Sequence, residues 1–153
     1  MATFNVSQRP DRYPHSQMVN DTPFKTVSAV FSGADAEAVK GSAVAAADVF
    51  ELLSIPAGAF VLSVTHKVTT LEGGACTYHL GDGVDPDGFV ASANGNAATN
   101  ATSFNGTTTP AFGVGKFYAE ADTLDLTLAT GTAANVVVEI SATFALTAPM
   151  ASY

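Results

Sequence analysis

From Lys25 onward the chain reads in short runs where apolar and polar residues alternate with period two, the spacing of a half-buried strand. KTVSAVF (25–31) is the first such run. VFELLSI (49–55) is the second, closed by the turn Pro56-Ala57-Gly58. In FVLSVTHKVTTL (60–71), Phe60, Leu62, Val64 and Val68 make an apolar row against Ser63, Thr65, Lys67 and Thr69. ACTYHL (75–80) follows the turn Glu72-Gly73-Gly74 and puts Cys76, Tyr78 and Leu80 on one face, so the two runs predict a hairpin. KFYAEA (116–121) predicts a short strand, and DTLDLTL (122–128) another with Leu124, Leu126 and Leu128 aligned. In NVVVEISATFAL (135–146), Val136, Val138, Ile140, Ala142, Phe144 and Leu146 face one way.

Other stretches lack this alternation. Residues 32–48 are Ala-rich, which favours helix, but Gly33 and Gly41 interrupt the run, and it reads as loop with at most one helical turn. Residues 91–115 are almost all small and polar and read as one long loop. Residues 1–24 hold Pro10, Pro14 and Pro23 and a charge balance of zero, and they read as an extended N-terminal arm. Within it Phe4, Tyr13, Met18 and Phe24 are apolar anchors, and Arg9 and Arg12 are cations that can pair with acids on a neighbour. Residues 25–153 then form a single domain. About eight short strands separated by turns, with no strong helix, predict an all-β antiparallel β-sandwich, most simply jelly-roll-like.

Composition narrows the partners. A chain of 153 residues suits one domain that needs no staple to hold its core. The formal charge is −8, with six cations and no basic patch, which argues against nucleic acid and anionic membranes. No apolar run approaches the roughly 20 residues of a membrane span, and the first residues lack the apolar core of a secretory signal. Charged residues make up only 13% of the chain, too few to coat its surface, so part of it is expected to be covered by other chains or to face water as Ser, Thr, Asn and Gly. A single cysteine, Cys76, excludes an intrachain disulfide framework and a cysteine-based zinc site.

The candidate chemistry centres on HLGDGVDPDGFV (79–90), with Asp82, Asp85 and Asp87 among three glycines. Counted from Asp82, the next acids fall at relative positions 4 and 6 and position 12 is Ala93, so an EF-hand is excluded. A phosphate cradle fails because strand, not helix, follows. Asp85-Pro86-Asp87-Gly88 suits a type I turn. The loop is therefore expected to be structural, with Asn tolerated at all three aspartates in the presence or absence of EDTA. A looser calcium site from the three acids is the competing reading. His66 falls on an apolar row and reads as a hydrogen-bonded core or interface histidine; Cys76 reads as a buried inert thiol. A Cys76–His66 nucleophile pair can be drawn, but no cationic neighbour would depress the thiol pKa. Glu120 and Asp122 can be drawn as an acid/base pair, but an exposed strand edge near a turn explains them more simply. No enzyme activity, cofactor or metal is expected.

The order Ile55-Pro56-Ala57-Gly58, FVLSVTHKVTTLEGG, Leu80-Gly81-Asp82-Gly83 with Gly88-Phe89, then Tyr118, Ala121-Asp122-Thr123-Leu124 and a Val-rich last strand resembles small virion structural proteins of tailed bacteriophages, above all head decoration (cement) proteins. The resemblance covers roughly residues 50–146. It implies a β-sandwich, self-association as a homotrimer, and binding to the major capsid protein on the capsid exterior, after synthesis in the host cytoplasm. It implies no active site. Similar modules occur in fibre and tail proteins, so a carbohydrate- or receptor-binding module is the alternative. Loop 91–115 favours that alternative, and the scarcity of aromatics suited to sugar stacking opposes it.

Overall fold

A computed structural model describes residues 24–98, 100–102, 111–113 and 115–146. The elements run β1 (Phe24–Ser32), α1 (Gly33–Lys40), β2 (Val49–Ile55), β3 (Ala59–Thr70), β4 (Cys76–Gly81), β5 (Val90–Asn94), β6 (Asn100–Thr102), β7 (Lys116–Tyr118), β8 (Asp122–Gly131) and β9 (Val137–Leu146). They form two antiparallel sheets. One has the order β1-β9-β3-β6 with β7 also paired to β3; the other has the order β2-β8-β4-β5. The all-β sandwich expected from the alternation is the architecture observed.

The core lies between the sheets. Val138, Ile140, Ala142 and Phe144 of β9 point inward, as their alternation predicts, beside Val61, Val64 and Val68 of β3. Leu124, Leu126 and Leu128 of β8 meet them from the other sheet, with Tyr78 and Leu80 of β4.

Four expectations change. The hairpin predicted from 60–71 and 75–80 does not form: β3 pairs with β9, β6 and β7, while β4 pairs with β8 and β5 in the opposite sheet. Both strands have an apolar face toward the same core, and alternation alone cannot tell a hairpin from a crossing over that core. The connection between them carries Glu72, a buried acid whose carboxylate accepts from Ala134 N (3.1 Å), Asn135 N (2.7 Å) and Val136 N (2.9 Å). It thereby clamps this crossing to the β8–β9 turn.

Residues 32–48 do contain a helix, α1. Ser32 caps it by accepting from Asp35 N (3.3 Å). Gly41 ends it in the left-handed region at φ 74°, its N–H reaching Glu37 O at 2.8 Å. The two glycines that look like interruptions are the helix boundaries.

The expected loop 91–115 also holds β5, β6 and a turn at 111–113. Small side chains hide strands whose place is set by backbone pairing. Finally, a β-bulge between Val61 and Ser63 inverts the parity of β3. Ala59 and Val61 are buried, and Phe60, expected in the core row, turns to the outer face opposite Ala145.

Gly131 sits at φ +78°, and a Cβ there would lie 1.7 Å from Ala75 O. Gly41 has φ +74° with nothing within 4 Å of the added atom. Gly41→Ala is therefore expected to cost about 1 kcal/mol of backbone strain. Gly131→Ala adds a backbone collision and is expected to cost more than about 2 kcal/mol. Urea melts of the two variants measure the difference.

Candidate functional site

The Asp-rich loop begins where β4 ends. Gly81 faces outward, and a Cβ on it would lie 2.0 Å from Asp85 O, so the chain folds back directly over this glycine. Asp82 N donates to Asp85 O at 3.1 Å, and Gly88 N to Asp85 O at 3.1 Å, the second being the turn expected at 85–88. Asp82 closes the loop with its side chain: Oδ1 accepts from Val84 N and Asp85 N, each at 3.0 Å.

Its other oxygen points across the molecule. Asp82 Oδ2 accepts from Tyr118 Oη at 2.7 Å and is ion-paired with Lys116 Nζ. Both partners belong to β7, in the opposite sheet. The Lys116 ammonium also lies 4.0 Å from the centre of the Phe112 ring and 4.8 Å from that of Tyr118. Phe112 in turn meets Phe89 edge-on, with centroids 5.1 Å apart. Burial by itself would raise the Asp82 carboxyl. Lys116, Tyr118 and the two backbone N–H groups outweigh it and hold the group below the usual carboxylate range. Burial and the neighbouring Asp82 charge push the Tyr118 phenol far up, so it stays a donor.

The structure thus separates the three aspartates expected to be equivalent. Asp82 has a fully buried side chain and ties the two sheets; it is not a dispensable loop residue. Asp85 and Asp87 interact with each other at the surface, and the Asp87 hydrogen bond raises Asp85. Asp82 turns its oxygens to Lys116, Tyr118 and its own loop rather than toward a shared cation. Among the described residues no group of three or more His, Cys, Asp or Glu is placed to hold a metal.

A fourth acid, Asp125, lies on the outer face of β8 between Glu51 of β2 and Gly81 of β4. The loop folded over Gly81 helps bury it to 5% exposure. Its Oδ1 lacks a hydrogen-bond partner, as does Thr127 Oγ1 two residues along the same face. Burial raises the Asp125 carboxyl; Thr123 opposes this, and the Glu51, Asp122 and Asp82 carboxylates add to it.

His66 and Tyr78 meet in the core, Nδ1 to Oη at 2.7 Å, one from each sheet. His66 is the hydrogen-bonded core histidine expected, and burial lowers its pKa. Its ring partner is Tyr78, not Cys76. The Cys76 thiol is buried and pushed up by that burial and by the Glu72 carboxylate, which is the environment of an inert thiol. His79 Nδ1 accepts from Ser92 N at 2.9 Å. Glu120 lies exposed in the bend before β8, and Asp122 opens that strand. Open grooves lie on the surface among the described residues. One, about 660 Å³, is lined by Glu51, Ser54, Ile55, Asp122 and Thr123. Another, about 510 Å³, lies between β1, α1 and β2. Neither gathers a nucleophile with a base.

Of the arm residues, Phe4, Arg9, Arg12, Tyr13 and Met18 lie outside the described residues. Phe24, assigned to the arm, is the first residue of β1, opposite Ala145 and 57% exposed. Sequence reasoning missed the Asp82–Lys116 pair. One signal was available: Lys116 shares strand parity with the inward Tyr118, and a cation on an inward row needs an acid.

No protein-family model matches the sequence, and no curated protein does. Solved structures do match in fold. A chain in the acid-stable capsid structure of Helicobacter pylori bacteriophage KHP30 is 14% identical with TM-score 0.57, over 80% of this chain and 87% of that one. A chain of the cyanophage Pam1 capsid is 20% identical with TM-score 0.58, over 81% and 85%. A chain of the capsid of Ralstonia phage GP4 is 19% identical with TM-score 0.59, over 82% and 85%.

Three outcomes are expected. Asp82→Ala leaves Lys116 without its acid and should cost about 3 kcal/mol or more in urea unfolding. Replacing Asp85 and Asp87 by Asn should change the unfolding free energy by less than about 0.5 kcal/mol. Asp125 has its folded-state pKa raised, so its contribution to stability is present below the unfolded value near 4 and is lost as pH rises through the folded value. Asp125→Asn should therefore raise the melting temperature at neutral pH by a few degrees, and the gain should shrink as pH falls through the raised folded value and be gone below about 4. Thermal melts of both proteins across pH 3–8 read this out.

Proposed function

We propose that this chain is a structural protein of a tailed-phage virion. It binds the outer surface of the capsid, contacts the major capsid protein there, and stabilises the shell as a decoration or cement protein. The observation that carries this reading is the extent of the fold match. Four fifths of this chain superimposes on more than four fifths of a capsid chain in each of three phages. The likeness therefore takes in most of both chains and not a shared fragment. The sequence resemblance in residues 50–146 points the same way from independent features.

Strand order supports the jelly-roll form of the sandwich. If β6 and β7 are counted as two halves of one edge position, β1-β9-β3-β6/7 faces β2-β8-β4-β5, and successive strands pass from sheet to sheet at every step but β4 to β5, which pair with each other. The chemistry supports a structural role without catalysis. The buried ionisable groups Asp82, Glu72 and His66 spend their hydrogen bonds on holding the sandwich. We read the chain as acting in trimers on the virion exterior, with the segment before β1, containing Phe4, Arg9, Arg12, Tyr13 and Met18, supplying further contacts to neighbours.

Purified chain mixed with shells stripped of their accessory proteins should co-sediment to a saturating ratio and raise the temperature at which the shells open. Failure to bind shells, together with binding on a glycan array, would replace this reading with that of a fibre or tail module.

A further inference from the structure

The outer face of the five-stranded sheet has an aromatic row that no single stretch of sequence displays. Phe24 of β1 lies opposite Ala145 of β9, Ala145 opposite Phe60 of β3, and Phe60 opposite Phe117 of β7. Residues directly opposite in an antiparallel pair project from the same face. The four therefore form one line from edge to edge of the sheet. Phe24 is 57% exposed and Phe117 51% exposed, at the two ends of the line.

Beside the row the face is polar, and part of it is self-satisfied. Thr26 Oγ1 and Thr143 Oγ1 bond each other at 2.9 Å, and Ser28 Oγ and Ser141 Oγ at 2.8 Å. The charges described on this face are Lys67 and Glu139, 3.9 Å apart. The four paired hydroxyls can be dried at lower cost, because they already have partners. A glycan needs free donors and acceptors around the ring that stacks on it, and paired hydroxyls suit it poorly.

The opposite sheet differs. None of β2, β4, β5 and β8 carries a Lys or Arg, while Glu51, Asp122 and Asp125 lie on its strands. Asp85 and Asp87 belong to the loop folded over Gly81 of the same sheet.

We propose that copies of this chain meet through the outer face of the five-stranded sheet, with the Phe24–Phe60–Phe117 row turned toward the symmetry axis. The inference rests on the reading of the chain as a self-associating virion protein and names the surface involved. Charge selects a second copy as the occupant. Each copy carries −8, and identical acidic bodies repel wherever their acidic sheets approach. Meeting at the neutral face leaves those sheets pointing away from one another. Four strand positions at about 4.8 Å and nine residues at about 3.3 Å give a face of roughly 600 Å². That is near the roughly 800 Å² each partner contributes to a stable interface.

The test is light scattering with size exclusion on purified chain at micromolar concentration. Wild type is expected as an oligomer. Phe117→Glu and Phe24→Glu, both at half-exposed positions, should each shift it to monomer with circular dichroism unchanged. Phe117→Leu and Val84→Glu, the latter on the Asp-rich loop, should remain oligomeric. A monomeric wild type would overturn self-association itself. Oligomers in all variants would overturn this face and leave association standing. Oligomers that have lost only shell binding would show that the capsid, and not a second copy, covers the row.

Discussion

The structure depends on one buried carboxylate. Asp82 follows the last residue of a strand in one sheet, and its side chain is fully buried against Lys116 and Tyr118 of the other. A charge in that position is costly unless it is paired and hydrogen-bonded. Meeting that condition imposes the local geometry. Lys116 and Tyr118 must point inward, which fixes the parity of β7 and turns Phe117 outward. Val84 and Asp85 must present their N–H groups to Asp82, which folds the loop back over Gly81. That fold in turn buries Asp125 on what would otherwise be a solvent face.

Two further polar ties work with it. His66 and Tyr78 join the sheets through the core, and Glu72 joins the β3–β4 crossing to the β8–β9 turn through three backbone N–H groups. In Glu72, burial would raise the pKa, but those N–H groups and Thr132 hold it below the ordinary range. Apolar contacts supply most of the cohesion but are not directional. The polar ties define how one sheet sits on the other.

Its two sheets have become chemically distinct. One outer face is neutral, hydroxyl-rich and crossed by phenylalanines; the other is acidic and without cations on its strands. The low charge content of the chain is concentrated, not diluted. A body with one dry-tolerant face and one solvated face has a natural orientation in an assembly.

Much of this could be read from the sequence. Period-two alternation located β1, β2, β3, β4, β8 and β9, and it identified the inward rows of β4, β8 and β9. The inward placement of His66 and Cys76 and the turn at 85–88 were also legible, because each follows from neighbours a few residues away. Alternation states which face of a strand is apolar, but not which strand lies beside it. The β3–β4 crossing, the Asp82–Lys116 pair spanning 34 residues and the Phe24–Phe60–Phe117 row were therefore decided by tertiary structure. The bulge after Val61 is the sharpest case. One extra residue in the ladder moved Phe60 from the expected core to the outer face, because strand parity is counted along the pairing partner and not along the chain.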